Sequence, residues 1–143
     1  MVKRLYRVIP IGGFFLFLSC AGGSLQGYKP GSPEEETIKT LLLAYEEAWN
    51  NQDKRGLIIL LHDDFVIRVG KKRIIIFSKN TYAFQIRDIW LRYRYLSFGT
   101  PKIWKNNDRA SVHLSMSIDG RVITSMFRLI REDDEWLILE WQL

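Results

Sequence analysis

Two carboxylates in this chain stand among residues that acid–base chemistry would need. Glu140 lies two residues before Gln142 in the closing segment WLILEWQL, and Asp64 ends the triplet His62-Asp63-Asp64. A carboxyl group drawn into an apolar enclosure stays neutral unless it finds a partner. A pKa raised in that way suits general acid or base work. The residues leave a second placement open for each acid. Glu140 would then sit at a wet rim, hydrogen-bonded to Gln142 or a tyrosine. Asp63 and Asp64 would face water in a helix-to-strand turn, with His62 well placed for the helix end. Metal chemistry is not expected. The chain has two histidines and one cysteine, and no ligand spacing of the HExxH kind. No cofactor is implied.

The one cysteine, Cys20, closes the run FFLFLSC. Lys3, Arg4 and Arg7 precede it, followed by twelve uncharged residues, 8–19. That run is shorter than the roughly 20 apolar residues a spanning helix needs. Pro10, Gly12 and Gly13 weaken it further as a helix. A basic start, a short apolar stretch and a small residue before a cut describe a secretory signal.

Phe17-Leu18-Ser19-Cys20 resembles the lipobox of a bacterial lipoprotein signal peptide. The resemblance implies that residues 1–19 are removed and that Cys20 becomes the mature N-terminus. Cys20 would then carry a diacylglyceryl thioether and a further acyl chain, such as palmitate, on its amine. Several chains anchor stably where one is marginal. Ala21, which is not an aspartate, implies the outer membrane if the cell is Gram-negative. A plain secretory signal, and a cytoplasmic chain with an apolar start, are the alternatives. Without residues 1–19 the chain keeps 18 basic side chains against 16 acidic, and the net charge falls from +5 to +2. The high overall pI is thus poor ground for nucleic-acid binding. Residues 20–32, which include AGGSLQGYKPGS, read as a flexible tether reaching on the order of 20 Å.

Residues 33–143 have the length of one compact domain. Ser32-Pro33-Glu34-Glu35 opens a helix with a capping box. Ile38, Leu41, Leu42, Tyr45 and Trp49 continue it as an apolar stripe. Asp53 caps a second helix through Leu61. A hairpin follows, 65–69 and 73–77 about Gly70-Lys71-Lys72, and Ser78 caps a third helix with Tyr82, Ile86 and Ile89 on one face. The remainder reads as strand: 95–105 with irregularity near Gly99 and Pro101, then 109–118, 121–131 and 136–143. Asp119-Gly120 is a two-residue hairpin signal. Helices followed by a long antiparallel meander make an α+β layout.

AYEEAWNNQDKRGLIILLHDDFVI, FSKNTY, NDRASVHLSM and FRLIREDDEWLILEWQL resemble, in order and spacing, the nuclear-transport-factor-2-like superfamily. The resemblance covers about residues 33–143, and Trp136-x-Ile138 is its sharpest mark. It implies a cone: a curved antiparallel sheet wrapped around the N-terminal helices, often with a pocket at its open end. The superfamily includes isomerases, dehydratases, cyclases and many non-catalytic modules, so fold does not select function.

Pairing across the two late hairpins sets Met116 opposite Ile123, Val112 opposite Phe127, Leu129 opposite Ile138, Phe127 opposite Glu140 and Ser125 opposite Gln142. Alternation then assigns faces. Tyr45, Trp49, Tyr82, Met116, Ser125, Phe127, Glu140 and Gln142 are expected to line a pocket. His113, Met126, Leu139 and Trp141 are expected on the opposite face. That face is too apolar for free solvation and is an expected homodimer or partner surface. Arg92 and Arg94 among the aromatics of IWLRYRYLSF could stack bases, but a half-buried element is the commoner meaning, and nucleic acid is not expected as a partner. Lys71-Lys72-Arg73 could touch anionic headgroups or form a solvated turn.

The function expected from these residues is that of a lipid-anchored envelope protein. Its domain would bind a small apolar ligand or a protein partner without catalysis. The alternative is an isomerase- or dehydratase-type enzyme using Asp64 or Glu140.

Overall fold

The computed structural model describes residues 23–143. Cys20 and the apolar run before it lie outside the described residues. Helix α1, Pro33–Asn50, starts as its sequence dictates: Ser32 Oγ accepts the Glu35 N–H at 3.2 Å, and Pro33 takes the first turn. The capping box is not reciprocal. The Glu35 carboxylate reaches back past Ser32, accepting from Gly31 N–H at 3.0 Å and from the Tyr28 hydroxyl at 2.9 Å. This ties the preceding residues to the helix. Leu25 is wholly buried in the core, and its N–H donates to the Phe98 carbonyl at 3.0 Å. The residues read as a flexible tether therefore belong to the domain from Leu25 onward. A single buried leucine among glycines carries no periodicity by which to find it.

Asp53 caps α2, Lys54–Ile58, through the Gly56 N–H. This helix stops short of Leu61, which instead opens strand β1, Leu61–Val69. The turn at Gly70 leads into β2, Ile74–Ser78, and Ser78 caps α3, Lys79–Arg92. The expected strand 95–105 is two strands, β3 (Leu96–Phe98) and β4 (Lys102–Asn106), both paired antiparallel with β5, Arg109–Ile118. Proline 101 offers no N–H for the ladder. Gly99 lies so close to Ser115 Oγ that an added Cβ would clash. Strands β6 (Arg121–Glu132) and β7 (Glu135–Gln142) complete the sheet. Asp119 and Gly120 both take positive φ, as a tight primed turn requires.

The sheet runs β2-β1-β7-β6-β5-β3, with β4 also on β5. All the pairs are antiparallel except β1 with β7, which places the first and last strands side by side in the middle of the sheet. Across Asp119-Gly120 the register is the expected one, with Met116 opposite Ile123, Leu114 opposite Ser125 and Val112 opposite Phe127. Across the last hairpin it holds only as far as Leu129 opposite Ile138. A bulge then intervenes, so that Arg128 faces Glu140, Phe127 faces Trp141 and Met126 faces Gln142. One extra residue, Leu139, turns every later side chain to the other face.

This overturns three of the expected placements. Glu140 and Gln142 point away from the helices, and Trp141 is buried against them, leaving Leu139 half-buried at the bulge. The energetics favour the bulge. A continuous register would drive the Glu140 carboxylate into the core, at several kcal/mol if unpaired. It would also expose Trp141, forfeiting about 2–3 kcal/mol of burial. As built, Glu140 meets Arg68 Nε at 3.3 Å on the outer face.

The core between helices and sheet is strongly aromatic. Phe127 and Trp141 stack at 5.4 Å, 12° apart, and Tyr45 meets both edge-on at 5.8 and 5.6 Å. Trp49 stands perpendicular to Trp90 and Trp141. These geometries suit the ring quadrupoles.

Candidate functional site: an apolar cavity with a charged mouth

A cavity of about 800 Å³ opens between α3, β2 and the turn joining β5 to β6. This is within the range of sites that hold small organic ligands. Trp49 from α1, Trp141 from β7 and Tyr82 from α3 contribute to its lining from the buried core. Ile67, Ile76, Phe77, Ile89, Ile118, Ile123 and Leu143 add apolar wall. Its polar groups are Gln85, Asp88, Arg92, Tyr93 and Arg121. Helix α3 supplies Tyr82, Gln85, Ile89 and Arg92 from one side, because these positions recur at the helical interval.

Trp49 Nε1 is fully buried and has no hydrogen-bond partner among the described residues. The Tyr82 hydroxyl, by contrast, is engaged. It lies 2.6 Å from the Tyr45 hydroxyl, and both rings are buried. Burial pushes the pKa of both phenols up, so they remain neutral. The pair shares one hydrogen bond inside the core, and among the described residues no carboxylate is bonded to it. Glu46, the next residue after Tyr45, accepts the Phe98 N–H at 2.7 Å and does not line the cavity. Partial burial raises its pKa, with that hydrogen bond opposing the rise.

The residues expected at a pocket thus divide. Trp49 and Tyr82 line the cavity, while Tyr45, Met116, Ser125 and Phe127 are buried in the core outside its lining. Ser125 accepts from Trp141 Nε1 at 2.6 Å. Glu140 and Gln142 are on the opposite face, for the reason given above. Asp64 is also away from the cavity, on β1 with its side chain 85% exposed. The triplet preceding Phe65 is strand, not a helix terminus. There the Asp64 N–H donates to His62 Nδ1, and His62 Nε2 lies 3.0 Å from Glu132 Oε2. Lys79 reaches Asp63 Oδ1 and the Leu61 carbonyl.

Of the expected interface residues, His113 is exposed and Met126 half-buried on the outer face. The His113 ring lies 4.8 Å from that of Trp104, edge-on. Trp141 instead lines the cavity. Gln85, Arg92, Arg121 and Ile123 were missed by sequence reasoning. The α3 spacing was the available signal for the first two.

Among the described residues no group of three or more His, Cys, Asp or Glu side chains is placed to hold a metal ion. No helix there is long and apolar enough to cross a membrane.

No protein-family model matches the chain, and no curated protein sequence does. Solved structures do. A nuclear-transport-factor-2-like protein from Cytophaga hutchinsonii superposes with a TM-score of 0.67 at 17% identity, covering 78% of this chain and 97% of that one. A protein of unknown function with a cystatin-like fold from Nostoc punctiforme gives 0.66 at 11%, covering 78% and 90%. A conserved protein from Planctomyces limnophilus gives 0.62 at 20%, covering 77% and 94%. The chain has the nuclear-transport-factor-2-like fold, an α+β arrangement of helices followed by a curved sheet that stays open. At these identities the likeness concerns fold alone.

Proposed function

We propose that this domain is a non-catalytic binding module, held at a cell-envelope surface by a lipid on Cys20, that takes a small apolar ligand into its cavity. The observation that carries the binding reading is the apolar cavity itself, walled from the core by Trp49, Tyr82 and Trp141. The acids that an isomerase or dehydratase would use stand elsewhere, Glu140 across the sheet and Asp64 in solvent. Among the described residues the tyrosine pair has no carboxylate bonded to it. Cys20 is proposed as the anchor on the lipobox resemblance. Native mass spectrometry of the chain purified from a bacterial host tests the ligand, as a co-purified mass that denaturation removes. Radioactive palmitate incorporation into the parent, lost in Cys20→Ser, tests the anchor. A bare protein that also shows no thermal shift with apolar compounds would remove the binding reading.

A second copy of the chain is proposed as the partner of the outer sheet face, centred on Trp104, which is 55% exposed and neighbours His113. Trp104→Glu should then shift the sedimentation of an oligomer to that of a monomer. A monomeric parent would end this reading.

A further inference from the structure

Resting on that ligand-binding reading, we infer the ligand's class: an amphiphile, with an apolar body in the cavity and one anionic head group held at the mouth by Arg92 and Arg121. Arg92 belongs to the last turn of α3 and Arg121 is the first residue of β6, so two elements each contribute an arginine to the lining of one cavity. Both side chains are exposed, and neither makes an ion pair or side-chain hydrogen bond among the described residues. Against these two positive groups the cavity lining carries one acid, Asp88, so the lining stays net positive. Asp88 lines the same cavity one helical turn before Arg92, without an ion pair. Asp119, two residues before Arg121, is engaged through both carboxylate oxygens, accepting from Arg94 N–H at 3.1 Å and Tyr95 N–H at 3.0 Å. Arg94 and the run Lys71-Lys72-Arg73 add positive charge to the loops after α3 and β1.

The apolar part of the ligand follows from the walls. Beyond the enclosed lining, the mouth leaves Leu91 81% and Ile123 41% exposed, with Val122 beside it 71% exposed. Apolar surface concentrated at one opening and interrupted by unpaired guanidiniums is complementary to a molecule with one charged end. Arginine forms paired hydrogen bonds with carboxylate and phosphate oxygens. A neutral apolar ligand would leave both guanidiniums idle, and a cationic one would be repelled.

A chain beginning at Ala21 retains every described residue and serves for the test. It would be titrated, below micelle formation, with dodecanoate, dodecyl phosphate, dodecanol and dodecyltrimethylammonium. Binding would be followed by calorimetry and by the fluorescence of the tryptophans around the cavity. We expect one site that takes both anions at least about tenfold tighter than dodecanol, with the cation weakest. Arg92→Gln and Arg121→Gln should each weaken the anions about tenfold and leave dodecanol unchanged. Ile123→Trp, which fills the cavity, should weaken all ligands. Thermal unfolding of each variant verifies the fold.

Equal affinity for all four probes, indifferent to the arginines, would overturn the head-group assignment while the apolar-ligand reading stood. No binding by any probe would overturn both. Phosphatidylglycerol vesicles separate a free amphiphile from a bilayer. Arginine-dependent sedimentation with vesicles, without uptake of monomeric dodecyl phosphate, would place the contact at a lipid surface and overturn the cavity assignment.

Discussion

The Trp141 indole donates to Ser125 Oγ across 2.6 Å inside the core. Ser125 is the one buried residue of the described core that is neither aliphatic nor aromatic, and it passes its own hydrogen bond to the Gln142 carbonyl at 3.4 Å. The contact exists because the bulge at Leu139 turns Trp141 inward. Ser125→Ala leaves the indole N–H buried and unsatisfied, at a cost of about 1–3 kcal/mol. Urea denaturation should show this as a lower midpoint with an unchanged slope. A variant as stable as the parent would mean that water serves the indole instead.

Leu25 tests whether the domain begins before its first helix. Leu25→Ala should destabilise by about 2–5 kcal/mol, the usual range for a buried leucine. A chain cut to begin at Gln26 should lose at least as much, since the Phe98 carbonyl also loses its N–H donor. Equal thermal midpoints for the parent and the shortened chain would show that residues 23–25 are dispensable to the fold.

Among the described residues the Tyr45 and Tyr82 hydroxyls answer each other and no third side chain. Removing either by substitution with phenylalanine orphans its partner and should cost about 1–3 kcal/mol. The double variant should cost clearly less than the sum of the two, because it leaves no polar atom stranded. Strict additivity in a double-mutant cycle would contradict the pairing.

Three carboxylates on α1 set opposing pH dependences. Lys105 and Arg131 hold Glu34 below the usual carboxylate range, and the Gly31 N–H and Tyr28 hydroxyl do the same for Glu35. Their stabilisation is present above the unfolded pKa and is lost as pH falls through the folded one. Glu46 is raised by burial, so its effect has the reverse sign: most favourable below the unfolded pKa and lost as pH rises through the folded value. Glu46→Gln should therefore melt higher than the parent near about pH 7 and lose that advantage below about pH 4, while Glu34→Gln should melt lower near neutrality and converge with the parent in acid. Melting curves across pH check both signs. A Glu46→Gln advantage that grew in acid would refute the assignment.

Much of the fold was legible because its signals are local. Ser32, Asp53 and Ser78 are caps in the sequence and in the structure, and Asp119-Gly120 fixes a register that held for ten paired residues on each strand. The bulge was not legible. Leu137, Ile138 and Leu139 are all apolar, so alternation gives no mark of where one residue is to be skipped. That single omission reversed Glu140, Trp141 and Gln142, and with them the expected site. The cavity's arginines were hidden for another reason. Arg92 and Arg121 are 29 positions apart, and no local pattern in the sequence links them. Only the packing of α3 against the sheet brings them to one mouth.

The first described residue, Gly23, lies against Thr100, and Leu25 is already fastened to Phe98. If Cys20 carries the lipid, three peptide units separate membrane from protein, a span of at most about 11 Å. A lipoprotein on such a lead could not sweep the space above its membrane in search of a target. It would ride against the bilayer as a buoy rides on a short mooring, with the flank around Thr100 turned toward the lipid. Its choice of ligands would be limited to what arrives at, or leaves from, that surface.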